Sequence, residues 1–111
     1  EIDVRFEADE KLLTQKLSME QRKNVYFIFK EAVNNIVKYS GTAEVDIRLF
    51  RQAQAIHLAI RDYGKGFDMQ TRSSGNGLRN MRQRAADMKG EINIESKPGE
   101  GTTIDLVVPI A

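Results

Sequence analysis

The chain has 111 residues, no cysteine and a formal net charge of +1, with 41% hydrophobic and 30% charged residues. That length suits one domain able to bury roughly 60 to 70% of its unfolded surface, and the composition is that of an ordinary globule. The near-neutral charge points away from a nucleic-acid or membrane footprint, the lack of cysteine excludes a disulfide scaffold and a thiolate metal site, and no run reaches transmembrane length.

The opening EIDVRFEADEK does not read as a signal peptide. It goes straight into strand-like alternation at Ile2, Val4 and Phe6, as expected of a domain belonging to a longer protein. Ser18 then stands where a helix N-cap is needed, with Gln21 at the capping-box position. Val25, Phe29, Ala32 and Ile36 mark one face of that helix, which is expected to end near Ser40-Gly41. Val45, Ile47 and Leu49 form a second strand and Ile56, Leu58 and Ile60 a third, joined through Arg51 to Ala53. A glycine-rich loop follows. Leu78, Met81, Ala85 and Met88 space as a second helix closed by Gly90. Ile92 and Ile94, then Ile104, Leu106 and Val108, make a terminal hairpin around KPGEGT. The order β-α-β-β-α-β-β, with short links between paired strands, predicts an α+β fold. It is a two-layer α/β sandwich: a mixed, mostly antiparallel sheet with both helices on one face.

The loop RDYGKGFDMQTRSSGNGL, residues 61–78, holds four glycines. It fits neither a Walker A loop nor a Rossmann fingerprint, and by itself it fits a long surface hairpin equally well. Its neighbours carry more information. By strand parity Asp62 continues the inward series Ile56, Leu58, Ile60, and Thr102 precedes Ile104, Leu106, Val108 in register. If those strands pair antiparallel, a carboxylate and a hydroxyl meet under the helices at one end of the sheet. The alternative for the pair is an Asx turn and an ordinary strand-start threonine. On the first helix, Glu31, Asn35 and Lys38 fall within about 60° of one another beside the apolar stripe. A carboxylate, an amide oxygen and an ammonium so placed suit a nucleophile, a hard cation and a phosphate, and they also suit a solvated helix face.

Four motifs in fixed order resemble one superfamily: Glu-x-x-x-Asn on a helix, Asp-x-Gly-x-Gly ending a strand, Gly-x-Gly-Leu opening a helix and a late Gly-x-Gly-Thr. It is the nucleotide-binding domain shared by gyrase, heat-shock chaperone, histidine kinase and mismatch-repair ATPases. Within it, the chain most resembles the catalytic ATP-binding domain of sensor histidine kinases. EAVNNIVKYS is similar to an N box led by Glu, DYGKGFD to a G1 box, GNGLRNMRQRA to a G2 box and KPGEGTTIDLVVPI to the closing hairpin.

The resemblance implies the Bergerat ATP-binding fold over residues 1–111, with ATP and Mg²⁺ as ligands. By that likeness Asp62 accepts a hydrogen bond from the adenine amino group, with Thr102 beside it, often through water. Gly64 and Gly66 let the backbone pass close to base and ribose. Asn35 ligates Mg²⁺, Glu31 matches the general base of the superfamily's ATPases, and Lys38 lies near the phosphates. Residues 67–76 form an ATP lid with Gly75 and Gly77 as hinges. Leu78 follows in the G2 box, and the second helix's N-terminus faces the phosphates with Arg79, Arg82 and Arg84 nearby. Tyr63 departs from the Asn common in G1, and Asn76 from the His frequent in this subgroup. The phosphoacceptor is missing, because His57, the only histidine, lies between Ile56 and Leu58 on the other strand face. The implied partners are the dimerisation and phosphoacceptor helices of a parent kinase and a downstream response regulator. Nucleic acid and direct membrane contact are not among them. The domain is expected in the cytoplasm, its parent either free or membrane-anchored. A serine kinase acting on a protein antagonist, or a nucleotide-sensing interaction module without transfer, would share this sequence pattern.

Overall fold

Alternation and capping translate directly into the elements of the computed structural model, which describes residues 3–8, 17–36, 44–66 and 76–109. These are β1 (Asp3–Ala8), α1 (Met19–Asn35), β2 (Glu44–Gln52), β3 (Ala55–Asp62), α2 (Asn76–Asp87), β4 (Glu91–Lys97) and β5 (Gly101–Pro109). The sheet order is β1-β2-β3-β5-β4. β1 pairs parallel to β2 across the intervening helix, and every other pairing is antiparallel. The predicted architecture is the observed one.

Ser18 caps α1 as expected. Its hydroxyl accepts from the Gln21 amide at 3.0 Å, and the Gln21 side chain accepts from the Ser18 amide at 3.1 Å, completing a capping box. The buried stripe of α1 is Ile28, Ala32 and Ile36, with Val25 and Phe29 only partly buried against it. The expected helix end near Ser40-Gly41 lies outside the described residues. On α2 the anticipated positions Leu78, Met81, Ala85 and Met88 are all buried. Its end differs in one detail: Lys89, not Gly90, takes positive φ (58°), while the Gly90 amide donates to the Ala85 carbonyl at 2.9 Å. The β2–β3 link is the two-residue turn Ala53-Gln54, in which Ala53 has φ 56°.

Straight cross-strand rows supply the core. Ile47, Ile60, Ile104 and Ile94 are successive buried register partners from β2 to β4, and the exposed Phe6 of β1 ends the row at the sheet edge. The helices pack over the inner face of these rows, so the core lies between the two layers. The opposite face stays open and carries the alternate side chains, among them Arg5, Asp46, Arg48, Phe50, His57 and Arg61. His57 stacks on its cross-strand partner Phe50 with ring centroids 4.9 Å apart, and Arg48 lies over the Phe50 ring. It is therefore a structural residue on the open face, as its parity implied.

Candidate nucleotide site

One row toward the loop end of the sheet, the pattern changes from apolar to polar. Val45, Asp62, Thr102 and Ser96 are consecutive register partners across β2, β3, β5 and β4. The inward series of β3 thus ends on a carboxylate only 1% exposed, directly opposite Thr102 on β5. No bulge interrupts the register, so the parity argument holds. Both readings of Asp62 are true together: it faces inward, and its Oδ1 accepts from the Gly64 amide at 2.8 Å as an Asx turn.

Sequence reasoning missed Ser96. It is 6% exposed, its hydroxyl donates to the Gly101 carbonyl at 3.1 Å, and it lies 2.8 Å from the Thr102 hydroxyl. The signal was present, since Ser96 shares parity with Ile92 and Ile94. Only the hairpin register reveals that it meets Thr102.

The loop after Asp62 is seated on the β4–β5 turn by backbone alone. Gly66 has φ 65°, and a Cβ there would collide with the Lys97 carbonyl. Gly101 has φ 78°, and a Cβ there would collide with the Asp62 carbonyl. The Gly99 amide donates to the Lys65 carbonyl. Gly66 of the Asp-x-Gly-x-Gly motif and Gly101 of the Gly-x-Gly-Thr motif are therefore required by contact of the protein with itself. Tyr63 turns to the open face, where its hydroxyl donates to Asp46 and Arg61 lies over its ring. Asp46 also receives the Arg5 guanidinium at 2.7 Å. The Tyr63 hydrogen bond, with the Arg5 charge, holds the Asp46 carboxyl below its usual range. The same hydrogen bond, then burial and the Asp46 charge, pushes the Tyr63 phenol up.

Both helices aim at this end. The Gln21 side chain donates to the Pro109 carbonyl at 3.3 Å, which pins the start of α1 where β5 ends. From there to Asn35 the helix rises about 21 Å, and β5 takes about 24 Å from Pro109 back to Thr102. Glu31 and Asn35, one turn apart and half-buried, therefore lie toward the polar row. α2 runs the other way. Arg84 near its end donates to Asn24 at 3.0 Å and lies over Phe27, both in the first nine residues of α1, and Gly90 beyond it abuts Val107. The N-terminus of α2 consequently opens toward the same end of the sheet, offering free amides and a positive dipole. Asn24, 3% exposed and satisfied by Arg84, is a second buried polar residue that periodicity had not singled out.

Of the remaining expected site residues, Leu78 is in the core cluster, so its visible role is to anchor the first turn of α2. Gly77 is the second residue of that helix, within its first turn. Lys38, Gly75 and lid residues 67–75 lie outside the described residues. Arg79 and Arg82 are exposed on α2, and Arg84 is half-buried through its contacts with α1. Among the described residues, no helix is long and apolar enough to cross a membrane.

Residues 20–111 match the family model described as histidine kinase-, DNA gyrase B- and HSP90-like ATPase. The chain belongs to that ATPase family. It is 34% identical over 88 residues to the sensor protein VraS of Staphylococcus haemolyticus and equally to that of Staphylococcus epidermidis. In each case the match covers 78% of this chain and 25% of the relative, so the chain spans about a quarter of their length. Its fold matches the histidine kinase domain of the Erythrobacter litoralis EL346 blue-light activated histidine kinase with a TM-score of 0.78. That match covers 98% of this chain and 52% of the other at 21% identity. The family is one of ATP-binding domains, and the polar row, the seated glycine loop and the two helix ends form the site at which ATP is expected. Asn35, half-buried at the end of α1, carries a neutral amide oxygen of the type a hard cation accepts.

Proposed function

We propose that the chain is the ATP-binding catalytic domain of a sensor histidine kinase. It binds ATP with Mg²⁺ and donates the γ-phosphoryl group to a histidine on a separate dimerisation and phosphotransfer domain, from which a response regulator receives it. The observation that carries this reading is the buried Asp62 paired across the sheet with Thr102, beneath the converging ends of α1 and α2. Asp62 accepts from the adenine amino group, and Gly64 and Gly66 hold the backbone against base and ribose. Asn35 and Lys38 serve the phosphate end, Asn35 through Mg²⁺, which when bound neutralises phosphate charge. The amides at the start of α2, anchored by Leu78, face the phosphates, and residues 67–76 with Gly75 and Gly77 cover them.

Transfer forms a bond from an imidazole nitrogen to the γ-phosphorus while its bond to the bridging oxygen breaks and ADP leaves. The chain contributes position and charge, with Glu31 placed where a base would take the imidazole proton. His57 is on the wrong face of the sheet to be the acceptor. A domain working with ATP and a response regulator in this way operates in the cytoplasm, whether or not its parent is anchored.

The test is a titration with ATP and GTP followed by radiolabelling. ATP should bind well above GTP, because a carboxylate pairs with the amino group of adenine and repels the carbonyl of guanine. The chain alone should stay unlabelled and should label a histidine-bearing phosphotransfer domain supplied in trans. Equal affinity for both nucleotides, or acid-labile label on His57, would overturn the proposal.

A further inference from the structure

Asp62 is the last residue of β3 in register with its neighbours, opposite Val45 on β2 and Thr102 on β5. Beyond it the ladder no longer sets the backbone, yet the next two residues decide how the carboxylate is held. The Gly64 amide that donates to Asp62 Oδ1 belongs to the peptide plane that begins at Tyr63. Glycine at 64 brings no side chain to steady that plane. Tyr63 does. Its side chain leaves the backbone on the face opposite Asp62, where the hydroxyl donates to Oδ2 of Asp46 on β2. Oδ1 of Asp46 is held in turn by Arg5 of β1 at 2.7 Å, and the Arg61 guanidinium lies 5.1 Å from the centroid of the tyrosine ring. Further along the loop, the Gly99 amide donates to the Lys65 carbonyl. The loop is thus tied on both sides of Gly64, by a side chain to β2 and by backbone to the β4–β5 turn.

We infer that the Tyr63–Asp46 hydrogen bond is a positioning clamp for the adenine end of the site, acting on Asp62 through the Gly64 amide. The inference deepens the ATP reading and rests on it. Tyr63 and Asp46 lie on the open face of the sheet, on the side away from the polar row, so neither is a ligand of the base. What they contribute is preorganisation: a carboxylate already aimed loses less freedom when the base arrives. The effect belongs to the base and not to the phosphates, because the clamp ends at the residue assigned to the adenine amino group.

The experiment measures adenosine and ATP affinities by calorimetry, well below the melting transition. The proteins are wild type, Tyr63→Phe, Asp46→Ala, the Tyr63→Phe/Asp46→Ala double variant, Asp46→Asn and Arg48→Ala. Tyr63→Phe keeps the ring and removes only the hydroxyl, so both ligands should bind roughly twofold to fivefold more weakly, by the same factor. Asp46→Ala should match it. The double variant should lose no more than either single change, because both break one bond. Asp46→Asn keeps an acceptor and should keep most of the affinity. Arg48→Ala removes a neighbouring open-face contact, the one over Phe50, and should change neither ligand. Unchanged adenosine affinity in Tyr63→Phe, a loss confined to ATP, or losses that multiply in the double variant overturn the inference. An equal loss in Arg48→Ala, as a general loosening of the sheet would give, overturns it too. If Asp46→Ala does not fold, Tyr63→Phe and Asp46→Asn decide, and the inference requires loss in the first and retention in the second. Failure of the underlying ATP reading looks different, since the wild type itself would then show no preference for ATP over GTP.

Discussion

The two ends of the same sheet are finished in different ways. Where β5 ends and β3 begins, every device closes the structure: the Ser18 capping box, the Gln21 tether to Pro109 and the turn by which Gly90 abuts Val107. Where β3 ends and β5 begins, the inward row carries a carboxylate and two hydroxyls. A buried row of polar side chains costs stability unless each is hydrogen-bonded, and an apolar row would have packed as well. The closed end holds the domain together, and the open end carries the polar groups to which the proposed nucleotide role is assigned. Glycines bridge the two purposes, since Gly66 and Gly101 let the nucleotide loop rest on the protein's own hairpin.

That contrast can be broken or sharpened by substitutions that move one end and leave the other. The largest effect is expected from Asp62→Ala. A charge-assisted hydrogen bond contributes about 1.5 to 3 kcal/mol, so ATP should bind roughly 10- to 150-fold more weakly. Circular dichroism should still report a folded domain. Unchanged ATP affinity in that folded variant would move the adenine pocket elsewhere. Asn35→Ala should come next, weakening ATP on the order of tenfold, the scale on which supports of a metal site act, while leaving adenosine nearly untouched. Calorimetry with both ligands checks this, and equal losses would remove the cation from Asn35.

At the closed end the signs reverse. Ser18→Ala removes the cap and should cost about 1 kcal/mol, lowering the melting temperature by about 4 °C for a chain of this size. ATP affinity below the transition should not change. A loss of affinity there would mean that the two ends are coupled through α1.

The smallest effect is a pH dependence from the open face. Asp46 is depressed by Tyr63 and Arg5, so its contribution is present above the ordinary carboxylate range and is lost as pH falls below it. Tyr63 is raised by Asp46, so its contribution is present below the ordinary phenol value and is lost as pH climbs through the higher folded value. Thermal melts of wild type and Tyr63→Phe should therefore differ most between about pH 5 and 9 and converge at both extremes. A constant gap across pH would show that the pair does not titrate with folding.

How much of this was legible in the chain depends on the distance over which each signal acts. The capping box needs only Ser18 and Gln21, three residues apart, and it was read correctly. Leu78, Met81, Ala85 and Met88 share a face because a helix turns every 3.6 residues, and all four are buried. Ile28 and Asn24 were passed over, because a buried stripe is decided by what packs on it. Asn24 is tolerated there only because Arg84 arrives from another helix.

By itself, then, the sequence determined the element order, the inward parity of Asp62 and Thr102, and four motifs whose order resembled one ATP-binding superfamily. Those depend on periods of two and 3.6 residues and on linear order, which a chain carries wherever it goes. Only the tertiary structure decided that Asp62 and Thr102, forty positions apart, are register partners. It also brought Ser96 into their row, required Gly66 and Gly101 for contacts of the protein with itself, and put Gly77 in the first turn of a helix. Register between strands and the approach of one backbone to another depend on turn geometry and packing summed over the whole domain. No local period in the chain records them.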